Sequence, residues 1–337
     1  STGAEAFLLE PQSTNIFTES ENFSNGAWTL YQSATITPNN AVSPQGTQNA
    51  SKLTDVGGIF DQVPYNPNTN YVISLFAKTN TATSITINFV DQATGYLGGT
   101  IRYTFATNIA SVILQSANGS VVAEKEDYGN GWIRVILKFT TNVAQNYNYQ
   151  SIEFQSGDGW IWGAQLEQNS YPTSYIPTSG ASATRNQELC TNATPVINSE
   201  EGTLYAEISA LSNDGTRRYI SLNNGTSNYD VRLYFSIDGY ISVLSKVAGT
   251  TQVFMQTNIY AQTDYNKIAF KYKENDFALW INGVEVQTDT SGLVNPIGEL
   301  DRLDFFGNGS DFFGNTKGLK YYPKALQDVQ LQDLTTI

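Results

Sequence analysis

Aromatic side chains surrounded by amide side chains are the residues of this sequence best suited to contact a ligand. Tyr147 and Tyr149 lie in the run 145–150, whose other members are Gln and Asn. Flat rings stack on the C–H faces of sugars with little loss of side-chain entropy, and amides both donate and accept hydrogen bonds. The run therefore predicts a sugar-contacting surface, although ordinary surface tyrosines would give the same pattern.

Three further aromatic residues are candidates for the same role. Tyr65 lies in the loop 64–68 among Pro and Asn, and Tyr96 lies in another polar stretch. Trp160 follows the turn 157–159 at the start of a strand. The sequence leaves open whether its ring lies in the core or is exposed to solvent. The second half offers weaker candidates in its loops, namely Asp214, Tyr229, Asp230, Asn308 and Asp311.

Composition excludes several classes of chemistry. The chain contains no His and a single Cys, Cys190, so it has no Ser-His-Asp triad, no His-based metal site and no internal disulfide. Cys190 is interpreted as an incidental residue of a linker, with intermolecular pairing as the alternative. The net charge of −13 disfavours nucleic acid as a partner, and no apolar run is long enough to insert into a membrane.

Carboxylates could still support glycoside hydrolysis, which needs two of them on either side of a bond. The run Glu-Leu-Asp-Arg-Leu-Asp at 299–304 is close to the Glu-x-Asp-x-x-Glu pattern of laminarinase-like enzymes, but its last member is Asp. It also lies late in the chain, just before Phe305. We therefore expect an ordinary strand here and no enzymatic activity.

Short runs rich in β-branched and aromatic residues alternate with Gly, Asn and Pro turns along the whole chain. This pattern predicts an all-β protein made of two tandem β-sandwich (jelly-roll) domains. The expected boundaries are a poorly ordered N-terminal lead-in at 1–13, a first domain at 14–185, a linker at 186–199 and a second domain at 200–337. Asp238-Gly239 and Asn282-Gly283 are predicted to form two-residue hairpin turns.

The run 159–167 is predicted to be the last strand of the first domain. Strict alternation would place Trp160, Trp162 and Ala164 on one face of that strand. Trp28, Trp132 and Trp162 are expected to be core residues.

Three sequence blocks carry a resemblance to a known family. They are Asn-Ile at 15–16 with Glu-x-Phe-x-x-x-x-Trp at 21–28, Asn-Gly-Trp-Ile-Arg-Val at 130–135, and Trp-Gly-Ala-Gln-Leu-Glu at 162–167. Ser-Tyr-Ile-Pro-Thr at 174–178 and Thr-Arg at 184–185 complete the last block. Residues 14–185 resemble a carbohydrate-binding-module-like β-sandwich domain of phage tail fibres and tail-associated proteins.

The second half resembles the concanavalin A-like, laminin G-like jelly roll. The resemblance rests on Gly-Thr-Leu at 202–204, on a strand ending in Asn-Gly at 282–283, and on the closing pattern that begins with Tyr-Tyr-Pro at 321–323.

Together the resemblances imply a non-catalytic protein that binds glycan on a host cell surface, located in a virion tail or outside the cell. A tail fibre would imply a homo-oligomer, namely a trimer, and jelly rolls of this kind often hold a structural Ca²⁺. Related modules place an Asp pair in the last strand, where this chain has Gly163-Ala164. The alternatives are the carbohydrate-binding region of a secreted polysaccharide-degrading enzyme, and a structural module that decorates a fibre.

Overall fold

The structure, a computed structural model, describes residues 6–54, 57–91, 96–115, 120–142, 148–191 and 193–337. The chain divides into two compact units. We call residues 12–186 the inserted unit, because it interrupts the other one in sequence. Residues 1–11 and 187–337 together form the split unit. Within the described ranges, no helix combines the length and the apolar character that a membrane span requires.

The secondary structure is almost entirely strand, which confirms the all-β prediction. The first fifteen strands are β1 (Phe7–Leu9), β2 (Ser13–Asn15), β3 (Thr29–Gln32), β4 (Ile36–Ala41), β5 (Ala50–Leu53), β6 (Gly57–Asp61), β7 (Asn70–Thr79), β8 (Ser84–Asp91), β9 (Tyr96–Thr104), β10 (Ile109–Gln115), β11 (Val121–Asp127), β12 (Ile133–Thr140), β13 (Tyr149–Gln155), β14 (Gly159–Glu167) and β15 (Ala183–Arg185).

The remaining elements complete the split unit. They are β16 (Glu201–Ala210), β17 (Arg218–Asn223), β18 (Asp230–Phe235), β19 (Ile241–Val247), β20 (Thr250–Thr257), β21 (Asn266–Lys273), β22 (Phe277–Ile281), β23 (Val284–Asp289), β24 (Arg302–Asp304), β25 (Phe306–Gly307), β26 (Ser310–Asp311), β27 (Gly314–Tyr322) and the helix α1 (Asp328–Thr335).

The inserted unit is a β-sandwich of two six-stranded antiparallel sheets. One sheet has the order β10-β9-β8-β13-β6-β3 and the other β11-β12-β7-β14-β5-β4. Alternate residues of both sheets point inward and form one buried apolar cluster, to which Ile73 and Val135 contribute from one sheet and Ile87 and Ile152 from the other. The outer faces carry the other residues of each alternation, which on the second sheet include the buried aromatic cluster of Phe76, Trp132 and Trp162.

The split unit is a second sandwich, with sheets in the order β1-β27-β16-β21-β22-β23 and β20-β19-β18-β17-β24. Its core contains Leu9 from β1, which pairs antiparallel with β27. The expectation of a poorly ordered lead-in is therefore wrong for Phe7–Leu9, because the apolar side chain of Leu9 gains burial by completing this sheet. Ser13–Asn15 are also a strand, paired with β15 in the inserted unit.

The polar run expected to be a linker is partly wrong as well. Ala193 forms a β-bridge with Leu303, and the carbonyl of Cys190 accepts a hydrogen bond of 2.9 Å from Phe305 N–H. Cys190 is half-buried and packs against the split unit's core. Backbone hydrogen bonds, which any sequence can form, hold this segment against β24, and a hydrophobic pattern could not have revealed them.

The two predicted hairpin turns differ. Asn282 and Gly283 both have positive φ and connect Ile281 directly to Val284, which confirms that prediction. At the other site only Gly239 has positive φ, and Phe235 pairs with Ile241 across a longer connection. The prediction of a two-residue turn at Asp238-Gly239 is therefore wrong.

Strand β14 carries a bulge that alters the expected alternation. The pairing of β14 with β7 shifts between Trp162 and Gln165, and Gly163 adopts φ +63°. The bulge turns Ala164 into the apolar core, while Trp162 packs on the outer face against Phe76. The expectation that Ala164 shares a face with the two tryptophans is therefore wrong. A Cβ at position 163 would lie 2.9 Å from the Phe76 ring, so glycine is required.

The resemblance blocks meet around the buried side chain of Asn15. Its amide donates to the carbonyls of Ala164 at 3.1 Å and Ile176 at 2.9 Å. Its carbonyl oxygen accepts from the backbone N–H groups of Leu166 at 3.1 Å and Phe17 at 3.2 Å. All four hydrogen-bonding positions of the amide are satisfied, so Asn15 joins the first and last blocks structurally.

The side chains of Gln165 and Glu167, like that of Asn15, join separate segments of the chain by hydrogen bonds. The side-chain oxygen of Gln165 accepts from Ile176 N–H at 2.7 Å. The Glu167 carboxylate accepts from the Ser13 hydroxyl at 2.6 Å and from Thr173 N–H at 3.0 Å. We call Asn15, Gln165 and Glu167 the signature network. Because these groups are buried and partnered, the network holds the fold and does not face a ligand.

Candidate functional site

A row of three aromatic rings crosses the outer face of the sheet that contains β13. The Tyr149 ring lies 4.5 Å from that of Phe60 on β6, and the Phe60 ring lies 6.2 Å from that of Tyr31 on β3. All three side chains are half-buried. They point outward because their neighbours Ile59 and Ile152 point into the core. We call these three residues the aromatic strip.

Polar groups border the strip. The Tyr31 hydroxyl reaches across β6 and donates to Glu153 at 3.2 Å. Gly58 makes this crossing feasible, because a Cβ there would lie 2.7 Å from the Tyr31 hydroxyl oxygen. Burial, helped by the negative charge of Glu153, raises the pKa of both Tyr31 and Tyr149 above the usual value. Both phenols therefore stay protonated at neutral pH and remain available as hydrogen-bond donors or acceptors.

The candidates predicted from sequence fall in different environments. Tyr149 belongs to the strip. Tyr147 lies outside the described residues, as does the side chain of Tyr96 at the start of β9. The choice of Tyr65 is wrong, since its ring is only 8% exposed and packs 4.8 Å from Tyr71. Its hydroxyl donates to Gln150 at 2.7 Å, so a loop that is polar in sequence turns its aromatic ring into the core.

Trp160 lies away from the strip, on the outer face of the other sheet. It is half-buried against the cluster that contains Phe76, Trp132 and Trp162, and its indole N–H donates to the Asn40 side chain at 2.9 Å. Its predicted binding role stays a prediction. The three tryptophans expected in the core are buried, as predicted: Trp28, Trp132 and Trp162.

A polar pocket of about 630 Å³ in the inserted unit contains two carboxylates, Glu19 and Glu21. Both are held by the protein itself. Glu19 accepts from Asn25 and from Gly180 N–H, each at 2.9 Å. Glu21 accepts from Asn49 at 2.8 Å and from another side chain of the unit. These bonds fix the carboxylates as structural groups, and the pocket is a weaker candidate than the strip.

The split unit carries a second candidate on the outer face of its five-stranded sheet. A groove of about 660 Å³ runs over β17 to β20, with the rings of Tyr219 and Tyr234 side by side at 4.9 Å. Phe254, half exposed, lines the same groove. The guanidinium carbon of Arg232 lies 5.5 Å from the Tyr219 ring centroid. We call this surface the groove.

Two buried charged groups form part of the floor on this face. Asp230 and Arg232 are each 3% exposed, and their Oδ2 and Nη2 atoms are 2.5 Å apart. Burial raises the pKa of Asp230 to about 6, although the charges of Arg232 and Lys246 oppose this rise. Oδ1 of Asp230 and Nε of Arg232 have no hydrogen-bond partner. Since buried polar atoms are nearly always partnered, these two atoms mark a place where a ligand or solvent completes the bonding.

A smaller pocket of about 290 Å³ continues the groove beyond Asn308, which lines both. Asp230 and Asp304 line it, and Asn223 donates to Asp304 at 3.0 Å. Carboxylate and amide oxygens are the ligand types that Ca²⁺ prefers. However, the described residues contain no group of three or more His, Cys, Asp or Glu that could hold a metal. A structural Ca²⁺ therefore stays a prediction.

The run at 299–304 does not place its carboxylates on one strand, as the laminarinase-like pattern would require. Strand β24 begins at Arg302, so Glu299 and Asp301 precede it. The Asp301 carboxylate pairs with Arg302 at 3.0 Å, and Glu299 accepts from Asn224 at 3.2 Å. Of the three carboxylates in the run, only Asp304 belongs to the sheet face described above.

Asp230 and Asn308 were predicted only as weak loop candidates, and Tyr219, Arg232 and Tyr234 were not predicted. A signal was available in 230–235, where Asp, Arg and Tyr alternate with Val, Leu and Phe. Charges of opposite sign at a period of two predict a polar outer face over an apolar inner one. Their convergence with Tyr219 depends on strand pairing, which the sequence alone does not reveal.

Comparison with known proteins gives only distant similarities. No protein-family model matches the sequence, and no curated protein matches it. Among solved structures, the CBM40 domain of a Ruminococcus gnavus IT-sialidase is 20% identical, covering 41% of this chain and 83% of its own, with a TM-score of 0.36.

Two other solved structures are similar at the same level. A pentraxin from Limulus polyphemus is 16% identical, covering 42% of this chain and 70% of its own, with a TM-score of 0.33. Sheep galectin-11 is 14% identical, covering 40% of this chain and 96% of its own, with a TM-score of 0.28. Similarities this low assign neither a family nor a ligand to the chain, so the functional argument depends on its own residues.

Proposed function

We propose that this chain is a non-catalytic glycan-binding protein and that the aromatic strip is a sugar-contacting surface. The observation that carries the proposal is the row of Tyr31, Phe60 and Tyr149 on an outer sheet face. Half-buried rings present apolar area at little entropic cost, because the fold already restricts them. Glu153 and the tyrosine hydroxyls beside them suit the hydroxyl groups of a sugar.

The proposed absence of catalysis is supported by the partners of the carboxylates. Glu19, Glu21, Asp301 and Glu299 are each bound by side chains or backbone groups of the protein. A general acid or nucleophile must instead face the scissile bond.

The biological setting that we propose is a phage tail fibre or a similar receptor-binding appendage that attaches to carbohydrate on a host cell surface. This part rests on the resemblance of the blocks at 15–28, 130–135 and 162–185 to tail-associated domains. Mass spectrometry of purified virions tests it directly. Detection of this chain in particles supports the setting, and its presence only in a secreted enzyme contradicts it.

A glycan array with the intact chain tests binding, in the presence of calcium and of EDTA. We expect saturable binding to at least one glycan. Replacing two rings, Phe60→Ala with Tyr149→Ala, should weaken it about 30-fold, since each stacked ring contributes roughly 1 kcal/mol. Leu30→Ala is the matched control, because Leu30 is exposed on the same strand as Tyr31 but alternates to its other face.

Two results would contradict the proposal. One is the absence of binding to any glycan on the array. The other is unchanged affinity of the Phe60→Ala, Tyr149→Ala variant when circular dichroism shows that it is folded. Loss of binding in EDTA would support the predicted Ca²⁺ as well.

A further inference from the structure

The groove of the split unit contains two cations that form no direct ion pair with a described residue. Arg217 and Lys246 both line it. Among the ion pairs of the described residues, neither forms one, whereas Arg232 is paired with Asp230. Three cations, Arg217, Arg232 and Lys246, line the groove together with one carboxylate, Asp238, in a chain whose net charge is −13. This local excess of positive charge favours an anionic ligand.

Both cations act on the groove floor. The charge of Arg217 lowers the pKa of Tyr234, and that of Lys246 lowers the pKa of Asp230, in each case against the larger effect of burial. Lys246 pairs across the sheet with Asp230, at one end of β18. Arg217 directly precedes Arg218, which pairs with Phe235 at the other end. At about 3.3 Å per residue the two cations lie on the order of 20 Å apart along the strand.

The surface between the two cations suits a sugar chain. Tyr234 is half-buried there and rests beside the buried ring of Tyr219, and the Nε of Arg232 is a buried donor without a partner. Phe254 adds an exposed ring on β20. Aromatic area with a buried donor between two cations matches a ligand that has ring faces, hydroxyl groups and more than one negative charge.

We propose that the groove is a second binding site, separate from the aromatic strip, and that its ligand is an acidic oligosaccharide bearing carboxylate groups. Arg217 and Lys246 contact the carboxylates at the two ends of the groove. Tyr234 and Phe254 support the sugar rings between them, and Arg232 donates its free N–H to an oxygen of the ligand. The site's residues all belong to the split unit, so it does not depend on the proposed role of the strip.

Isothermal titration calorimetry of the intact chain tests this with matched probes. Tetragalacturonate, tetramannuronate and a hyaluronan tetrasaccharide are each compared with their methyl esters, which keep the sugar and remove the charge. We expect at least one acid to bind tenfold or more tightly than its ester, and the difference to shrink in 0.5 M NaCl as salt screens the charges.

The double variant Arg217→Gln, Lys246→Gln should bind acid and ester equally. Lys317→Gln with Lys324→Gln is the control, because it removes the same charge from exposed positions of the same unit outside the groove. Phe60→Ala with Tyr149→Ala should keep the preference for acid. The inference is overturned if no acid binds more tightly than its ester, if the groove variant keeps the preference, or if the control loses it.

A strip variant that keeps the acid preference but no longer binds neutral glycans would support both sites. A chain that binds neutral glycans and shows no acid preference would leave the strip proposal intact and overturn this one.

Discussion

The signature network of the inserted unit and the groove of the split unit bury polar side chains in opposite ways. Asn15 has a partner at every hydrogen-bonding position of its amide. On the sheet face that carries the groove, Asp230 Oδ1 and Arg232 Nε have none, although both residues are only 3% exposed. A satisfied buried network stabilises a fold, whereas an unsatisfied one on a concave face remains available to a ligand.

The residues that carry the family resemblance differ from those that we propose to bind a ligand. The blocks that resemble tail-associated domains include Asn15, Gln165 and Glu167, which hold the end of the sandwich together. The strip and the groove lie outside these residues. The residues that carry the resemblance therefore report how the chain folds, whereas the proposed ligand contacts lie on the outer sheet faces.

The largest effect is expected for Asn15→Ala. The substitution removes four hydrogen bonds and leaves their backbone partners buried, which should lower the free energy of unfolding of the inserted unit by about 4 kcal/mol. Its melting temperature should fall by about 8–16 °C in differential scanning calorimetry. Gln45→Ala, in an exposed turn, should have almost no effect. If Asn15→Ala unfolds at the wild-type melting temperature, the signature network does not stabilise the inserted unit as we expect.

A smaller effect on stability is expected in the groove. Replacing Asp230 by Leu together with Arg232 by Met should leave the free energy of unfolding within about 2 kcal/mol of wild type, because a buried ion pair offsets little more than its own desolvation. Asp230→Leu alone should cost about 3 kcal/mol, because Arg232 then stays buried without its partner.

Urea titrations give these free energies, and calorimetry on the folded double variant should show weaker binding of both acid and ester, because the N–H donor of Arg232 is lost. A strongly destabilised double variant would mean that the pair serves the fold, as Asn15 does.

The smallest effect is a pH dependence of ligand binding at the groove. The groups that face Asp230 are Arg232 on its own strand, Lys246 on β19, and Asn223 and Asp304 on the other side. Because burial raises the pKa of Asp230 to about 6, lowering the pH from 7.5 to 5 neutralises it and leaves the charge of Arg232 uncompensated.

The affinity for an acidic oligosaccharide should then rise about two- to fivefold, and Asp230→Asn should remove most of this rise. The same linkage implies that Asp230 lowers the stability of the fold as the pH rises from about 4 to about 6, since its proton is bound more tightly in the folded state. If the affinity for the acidic oligosaccharide falls when the pH is lowered, the proposed role of Asp230 and Arg232 at the groove is contradicted.

Much of the fold could be predicted from the sequence, since the composition and turn pattern indicate an all-β chain, and β14 spans the predicted residues 159–167. Three features could not. The bulge at Gly163 reverses the alternation, and the burial of Tyr65 depends on contacts with distant strands. Leu9 completes a sheet whose partner strand lies about three hundred residues later in the chain.

The candidate sites were harder to predict than the fold, because they depend on contacts between strands that are distant in sequence. Tyr149 was found because a local run of amides surrounds it. Phe60 and Tyr31 were missed because only the pairing of β3, β6 and β13 brings the three rings together. Asp304 reaches Asn223 across 81 positions of sequence, and no local pattern encodes that contact.

The most direct test of the central claim is to map where a glycan touches the intact chain. Amide NMR spectra recorded during titration with the glycan selected by the array should show the largest shifts around Phe60 and Tyr149 for a neutral ligand. For an acidic ligand they should occur around Tyr219 and Arg232. Largest shifts at 162–167, with both outer faces unchanged, would contradict the account and return the binding role to the signature residues.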